Sequence, residues 1–437
     1  MDKKNNKNLR KIVSISLNKL FFSEMSFSEV LEYQRYELMN LDERDKKLAN
    51  KIFYTVVRHL GHIDMIIDRF IESSLKEKCP HAQNILRMGT SEIIYLRTPS
   101  HAAVNQTVEL ASGPANKYRP LINAVLRNII RKKTSINKLL ENPLDGLPIW
   151  IAEKWAKQFS KKIAILIAKA SIKEPPLDIF CSSRATSFAA KTNGFLTPAG
   201  TVRLKKYCKI DNIIDYNKGY WWVQDIAATL PAKLLMNSLD HNNTNTTIID
   251  LCAAPGGKTA QLCNSPFEVI AVDKSETRIF LLKQNLERLK LNATIIKADA
   301  IFWKPALPPQ GILIDAPCSG TGTIRRNPDI VWKKKPQDIK KLSDLQKSMI
   351  ERSVKNLPIG GILVYAVCSL ENEEGIDHAK EILSSNKMDI LPVKPEELPG
   401  LENAITKEGF VQTLPFYWSN IGGMDGFFIC RFVKKHS

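Results

Sequence analysis

The eight cysteines of the sequence, Cys79, Cys181, Cys208, Cys252, Cys263, Cys318, Cys368 and Cys430, are scattered, and no two form a CxxC pair. That excludes the spacing of a disulfide framework or a zinc site, so no metal is expected. Reduced thiols in a cytoplasm fit this usage. No stretch approaches the ~18 uninterrupted apolar residues of a membrane-spanning helix, so no membrane partner is expected. The basic opening MDKKNNKNLRK has no apolar core behind it and does not read as a secretory signal. Internal repeats are absent, as is low-complexity sequence beyond that short Lys/Asn run. Acidic residues are in the minority: 45 Asp and Glu stand against 63 Lys and Arg, a formal charge of +18. A chain this basic suits a polyanion, because each cation placed on a phosphate releases condensed counterions. A basic proteome background or an anionic membrane surface would give the same excess.

What is present is ordinary globular composition, 44% hydrophobic and 25% charged over 437 residues, enough for two or three domains. Residues 1–134 read as helical. Leu48, Ile52, Phe53, Val56, Val57 and Leu60 recur at helical spacing, and so do Leu121, Ile122, Val125, Leu126, Ile129 and Ile130. Arg127, Arg131, Lys132 and Lys133 gather at the end of the second stripe. There they suit a helix C-terminus and also offer a phosphate-facing edge. Residues 135–174 read as a linker that becomes a bridging helix. Residues 175–222 read as a small α/β subdomain. From 223 to 437 short β-branched runs alternate with amphipathic helices, the texture of βαβ units around a mainly parallel sheet. The runs are TIIDL, EVIAVD, TIIKAD, GILIDAP, GILVYAV and GFFICRFV.

The first of these runs leads into DLCAAPGGKTAQL, a strand, a glycine turn and a helix start. Such a turn cradles a ligand at the carboxyl end of the strand. It is not a phosphate-binding P-loop, which needs a glycine where Cys252 stands, and GxGxxG is absent. An ordinary strand-to-helix turn would also carry two glycines. The acids at successive strand ends, Asp250, Asp273, Asp299 and Asp315, weigh against that bland reading. Asp273 follows Asp250 at close to the ~20 residues at which an acid meets ribose hydroxyls in doubly wound folds. S-adenosylmethionine, with a ribose diol, an amine-bearing base and a positive centre, suits this series.

Cys318 lies in DAPCSGTGTIRRNPDIVW and Cys368 in YAVCSLENEEG, both after strands ending on the same sheet edge as the glycine turn. Free cysteine is usually a small packing residue, and Cys181, Cys208, Cys263 and Cys430 read that way. A loop pair beside a carboxylate is different chemistry. Carbon 5 of cytosine is a poor nucleophile, and a thiolate added at carbon 6 turns the ring into an enamine-like species that can take a methyl group. An acid near N3 stabilises the adduct, and Asp315 lies three residues before Cys318.

The set DLCAAPGGKT, VDKSETR, KADA, DAPCSGTGTIRRNPDIVW, YAVCSLENEEG and GGMDGFF resembles the bacterial Sun/RsmB 16S ribosomal RNA cytosine-C5 methyltransferases of the Nol/Nop/Sun group. ERDKKLANKIFYTVVRHLGHID, LRMGTSEIIYLRTPSHAAVNQTVELA and LINAVLRNIIRK resemble the NusB-like helical domain of the same family. The resemblance implies an all-α NusB-like RNA-binding domain, then an α/β Rossmann-like S-adenosylmethionine-dependent methyltransferase domain with a small α/β subdomain. It implies Cys368 as the nucleophile, Cys318 as the residue assisting product release, Asp315 at N3 of the base and beside the cofactor, and Lys258 in the catalytic set. Cys252, Ala253, Ala254, Pro255, Gly256, Gly257 and Lys258 would cradle the cofactor. Asp273 would take the ribose diol, Arg278 would stand with it, and Asp299 would lie near the adenine. Arg325, Arg326, Arg127 and Arg131 are expected to touch RNA. The implied partner is 16S ribosomal RNA, free or within a small-subunit assembly intermediate, and the expected state is a cytoplasmic monomer.

Several positions depart from the family pattern. Val367 replaces a usual Thr before the nucleophile, and Gly375 a common Asn. Ile226 and Thr229 replace common Ser and Gln, and LDIFCSSRATS lacks the usual Arg-Val-Asn strand signature. Two other readings stay open from sequence: a non-catalytic RNA-binding or ribosome-assembly factor with a vestigial methyltransferase domain, and a small-molecule or protein methyltransferase. Neither has an obvious need for both loop cysteines.

Overall fold

The computed structural model describes residues 3–96, 98–205, 208–243 and 246–435. The chain divides into two compact units. One comprises residues 1–172 with 327–333, and the other residues 173–326 with 334–437.

The first unit is helical among its described residues. Its helices are α1 (Lys3–Phe22), α2 (Phe27–Glu37), α3 (Glu43–Arg58), α4 (Leu60–Asp68), α5 (Leu75–Lys78), α6 (Pro80–Ile94), α7 (Ser100–Glu109), α8 (Arg119–Arg131), α9 (Lys133–Leu139), α10 (Ile149–Phe159) and α11 (Lys161–Ser171). Helix α3 starts where the Asp42 carboxylate accepts the Asp45 N–H at 2.7 Å. It buries Ala49, Ile52, Phe53, Val56 and Val57 at helical spacing. Helix α8 buries Ile122, Val125, Leu126 and Ile129 in the same way. Helix α6 is buried on almost every side, so its charged groups need internal partners. Arg87 meets Asp64 at 2.7 Å, and Glu92 meets Arg10 at 2.6 Å. Residues 327–333 pack in this unit through Trp332, whose indole N–H donates to the Val57 carbonyl at 3.2 Å.

The second unit holds two sheets. Strands β1 (Leu177–Cys181), β2 (Gly194–Leu196), β3 (Val202–Leu204) and β4 (Trp221–Val223) form an antiparallel sheet in the order β2-β3-β1-β4, with α12 (Ala185–Lys191) beside it. Ile179, Phe188, Val202 and Trp221 form its core. Behind α13 (Ile226–Met236), β5 (Thr247–Leu251) leads through α14 (Gly257–Leu262) to β6 (Glu268–Asp273) and through α15 (Glu276–Leu289) to β7 (Thr294–Lys297). The chain then crosses to the other side of β5 for β8 (Gly311–Asp315), α16 (Pro336–Asn356), β9 (Ile362–Val367) and α17 (Ile376–Ser384). Three further strands, β10 (Met388–Ile390), β11 (Val411–Thr413) and β12 (Phe427–Lys434), complete the large sheet. Its order is β10-β12-β9-β8-β5-β6-β7, with β11 also paired to β12.

Strands β7, β6, β5, β8 and β9 run parallel, while β12 returns antiparallel to β9, so the expected Rossmann-like sheet is present with an antiparallel edge. The order reverses between β5 and β8, which places a crevice at their carboxyl ends, where open α/β sheets bind ligands. Helix α15 presents Ile279, Leu282, Leu286 and Leu289 to the sheet, the face its sequence predicts. No helix among the described residues is long and apolar enough to cross a membrane.

Leu282 has no solvent exposure, and its side chain also meets the glycine turn. Leu282→Ala is expected to destabilise the protein by about 3 kcal/mol, the usual cost of a lost core leucine plus the cavity it leaves. The shift in the midpoint of urea unfolding measures it.

Candidate active site

The turn after β5 is shaped by backbone rather than side chains. Gly256 has φ +105°, and a Cβ there would stand 2.5 Å from Leu282 Cδ1, so only glycine fits. Asp273, at the end of β6, is buried; its carboxylate accepts the Ala254 N–H at 3.2 Å and the Ser275 N–H at 3.0 Å. Arg278 bonds the Ala254 carbonyl, with Nη1 3.7 Å from Asp273. Asp299 is partly exposed; it accepts the Ile301 N–H at 3.0 Å and stands 4.0 Å from the Lys274 ammonium. Cys252 lies in the same turn, where burial, then the carboxylates of Asp273 and Asp315, push its thiol up to about 12. It is therefore a packing residue at neutral pH and no rival nucleophile.

Asp250, the penultimate residue of β5, has no solvent exposure. Thr259 donates to one carboxylate oxygen at 2.6 Å, and the other, Oδ1, has no hydrogen-bond partner among the described residues. Burial pushes the group up to about 7, against the Thr259 hydrogen bond. A buried carboxylate oxygen without a donor suits a cationic ligand. With the cradle of Gly256 and Gly257 and the acids of β6 and β7, it fits S-adenosylmethionine.

Next to this cradle, Lys258 Nζ donates to Asp315 Oδ2 at 2.6 Å and stands 5.3 Å from the centroid of the Phe427 ring. Asp315 ends β8 opposite Ala366 of β9, two residues before Cys368. The two loop cysteines are in contact, with 3.4 Å between Cys318 Sγ and Cys368 Sγ. The hydrogen bond to Cys368 and then burial push the Cys318 thiol well above its usual range. Cys318 therefore keeps its proton at neutral pH, in contact with the Cys368 sulfur. Burial also pushes Cys181 and Cys263 up to about 12, away from this pair. Val367, at the end of β9 immediately before Cys368, is fully buried.

Residues 236–433 match the family model described as 16S rRNA methyltransferase RsmB/F, and residues 7–131 match the NusB family. The ribosomal RNA small subunit methyltransferase B of Proteus mirabilis is 31% identical over 397 residues, covering 86% of this chain and 92% of the relative. The chain belongs to the RsmB/F methyltransferase family. As an RsmB/F protein it is a transferase using S-adenosylmethionine. The solved structure of PH0851 superposes with a TM-score of 0.74 at 21% identity, covering 98% of this chain and 99% of that one, which shows the fold. A methyltransferase homolog protein from Pyrococcus horikoshii gives a TM-score of 0.55 at 25% identity, covering 69% and 98%.

The arginines expected on RNA fall into different settings in this RsmB/F chain. Arg325 is 1% exposed, with its guanidinium bonded to the Gly422 carbonyl, so it lies inside and does not present itself to RNA. Arg326 bridges the buried carboxylates of Asp225 and Asp425. The expectation for Arg325 is corrected because its guanidinium is taken up inside the protein, whereas the Arg326 side chain keeps 26% exposure while paired to both acids. Arg127 and Arg131 are exposed on α8.

Sequence reasoning missed Glu374. Its side chain is fully buried and gathers both cysteine loops. Oε1 accepts the Ser319 N–H at 2.8 Å and the Gln346 amide at 3.2 Å. Oε2 accepts the Ser369 hydroxyl at 2.5 Å and also the Ser319 hydroxyl. Ser319 and Ser369 are the residues immediately after the two cysteines. Backbone closes the same junction: the Gly322 N–H donates to the Cys368 carbonyl at 3.0 Å, and the Gly426 N–H to the Gly322 carbonyl at 2.8 Å. A Cβ on Gly322 would stand 2.0 Å from the Gly426 oxygen. At Gly375, where the family has Asn, a Cβ would stand 2.9 Å from the Phe428 ring, so glycine makes room for that ring. The available signal for Glu374 was an acid six residues after Cys368, and nothing local distinguishes it from neighbouring Glu373.

Glu374→Ala leaves the Ser319 N–H without its acceptor and removes the charged acceptor shared by the Ser319 and Ser369 hydroxyls, and is expected to lower stability by about 2–3 kcal/mol. It is expected to lower kcat about 10²-fold through misplacement of the thiols. Unfolding midpoints and single-turnover rates at saturating RNA measure the two effects. For Asp250, a folded-state value raised from the ordinary 3.8 to about 7 means stability present at low pH and lost as pH rises through 7. Urea unfolding at pH 5.5 and pH 8 is expected to show Asp250→Asn gaining on the native protein at the higher pH.

Proposed function

We propose that this chain methylates carbon 5 of a cytosine in 16S ribosomal RNA, with Cys368 as the covalent nucleophile. The observation that carries this reading is the thiol pair at 3.4 Å, with Cys318 holding its proton, beside the Lys258–Asp315 pair. When bound, S-adenosylmethionine supplies an electrophilic methyl group on a positively charged sulfur. Residues 252–258, Asp273, Arg278 and Asp299 would hold it at the switch point of the sheet, where the buried Asp250 would add a carboxylate.

The Cys368 thiolate adds to carbon 6 of the cytosine. The carbon 5–carbon 6 π electrons shift toward N3, which takes a proton from the Lys258–Asp315 pair. Lys258 fixes the carboxylate that hydrogen-bonds there. Carbon 5, now nucleophilic, would take the methyl group, and the pair of the broken methyl–sulfur bond would stay on the donor sulfur, leaving it neutral. Release needs the carbon 5 proton removed and the carbon 6–sulfur bond broken. Cys318 lends its thiol proton to the departing Cys368 sulfur and, as a thiolate, takes the carbon 5 proton. The electron pair of that C–H bond restores the ring double bond, N3 returns its proton to the pair, and Cys368 loses its proton to solvent before the next turnover.

Residues 1–134 serve as the RNA-binding domain, 135–174 as linker and bridging helix, 175–222 as an RNA-facing subdomain and 223–437 as the catalytic domain. The enzyme works as a monomer in the cytoplasm, on free 16S RNA or on an assembly intermediate of the small subunit.

Incubation with unmodified 16S RNA and methyl-labelled S-adenosylmethionine is expected to place label in 5-methylcytidine. Label in any other nucleoside overturns the reaction. Cys318→Ala is expected to accumulate a denaturation-resistant protein–RNA adduct, and Cys368→Ala to form none while losing about 10³-fold or more in rate. Equal trapping by both variants would reverse or abolish the assigned roles.

A further inference from the structure

The helical unit carries a cavity of about 380 Å³ between α7 and α8, which pack side by side. Val104 and Ile130 contribute its apolar surface, and Arg127, Arg131, His101 and Asn105 stand around it. None of its lining residues is acidic. Arg127 Nε donates to the Asn123 amide oxygen at 3.0 Å, and Arg131 donates to that of Asn128. Neutral partners restrain both guanidiniums without cancelling their charge. Across the cavity, His101 and Asn105 form a hydrogen bond at 3.2 Å one turn apart on α7. Cations at a helix end suit the macrodipole, which accounts for Arg131 and the lysines after it. It does not account for Arg127 one turn earlier, nor for a concavity with an apolar floor between the two arginines and the imidazole.

We propose that this cavity holds one unstacked nucleotide of the RNA substrate, with its base against Val104 and Ile130 and its phosphate on Arg127 and Arg131. The inference rests on the reading that the substrate is RNA. Its volume lies in the range of small-ligand pockets. The combination of an apolar floor, a flat imidazole and paired guanidiniums matches how proteins take a splayed base and its phosphate from single-stranded RNA. Bidentate guanidinium contacts recognise phosphate oxygens better than lysine does. The pocket would anchor a loop of the RNA and leave the chemistry to the cysteine centre.

The test uses the full chain and 16S RNA carrying 4-thiouridine, with photo-crosslinked peptides mapped and 5-methylcytidine counted in parallel samples. Crosslinks are expected in peptides containing 101–105 or 127–131. The double variant Arg127→Ala/Arg131→Ala is expected to lose those crosslinks and to bind RNA at least tenfold more weakly. The slope of log affinity against log salt is expected to fall by about 0.7, the value for one single-strand phosphate. Unchanged kcat at saturating RNA, and an unchanged unfolding midpoint, separate a binding loss from a folding loss. The paired change Arg127→Lys/Arg131→Lys should keep most of the salt slope while losing the crosslinks. Native affinity and slope in the alanine variant, or crosslinks confined to other segments, overturn the proposal even when 5-methylcytidine forms. Competition by inorganic phosphate with no RNA crosslink in the pocket overturns the RNA assignment. Crosslinks in the pocket without 5-methylcytidine would leave the site standing and remove the methyl-transfer reading.

Discussion

The Glu374 carboxylate is the interaction on which the cysteine centre depends. The two loops that carry Cys318 and Cys368 leave neighbouring parallel strands, β8 and β9. A fully buried acid that accepts from the residue after each cysteine makes them one object. Charge-assisted hydrogen bonds in a desolvated setting are among the stronger fixed contacts available to a protein. Here they convert a sheet edge into a pair of sulfurs held 3.4 Å apart. Gln346 reaches the same carboxylate and the Pro317 carbonyl at 2.8 Å, so α16 braces the junction from behind.

The switch point in the large sheet supplies the second constraint. Because β6 and β7 lie to one side of β5 and β8 and β9 to the other, the glycine turn and the two cysteine loops open into the same crevice. The donor cradle and the nucleophile therefore come from opposite halves of one sheet. Lys258 joins them: it belongs to the helix that follows the turn, yet its ammonium rests on Asp315 of the β8 end.

Much of this was legible in the residues. The limits of β5 and β6 coincide with the β-branched runs TIIDL and EVIAVD, because each run is bounded by turn formers and buried on both faces. The apolar face of α15 could be read from Ile279, Leu282, Leu286 and Leu289, since helical periodicity is a local property. Strands β10 and β11 were not legible; each has three residues and exists because β12 offers them the edge that β9 leaves free. The pairing of Arg326 was not legible because its partners, Asp225 and Asp425, lie 101 and 99 residues away. Glu374 escaped for the opposite reason: its partners Ser319 and Ser369 are unremarkable serines until the loops close. Charge and hydropathy report where a residue tends to be, whereas these roles come from which distant groups arrive beside it.

The contact between Gly322 and Gly426 has a bearing on how this chain tolerates change. Neither residue carries a reactive atom, yet the space between them is filled by main chain, with the Gly426 oxygen where a Gly322 Cβ would go. Backbone cannot be exchanged for a smaller neighbour, so no compensating substitution elsewhere relieves the collision. In a saturation library scored by methylation, Gly322 would rank with the cysteines in intolerance while contributing nothing to the chemistry. Intolerance to substitution in this enzyme thus marks two separate things: the atoms that react, and the places where two stretches of main chain must touch so that those atoms meet.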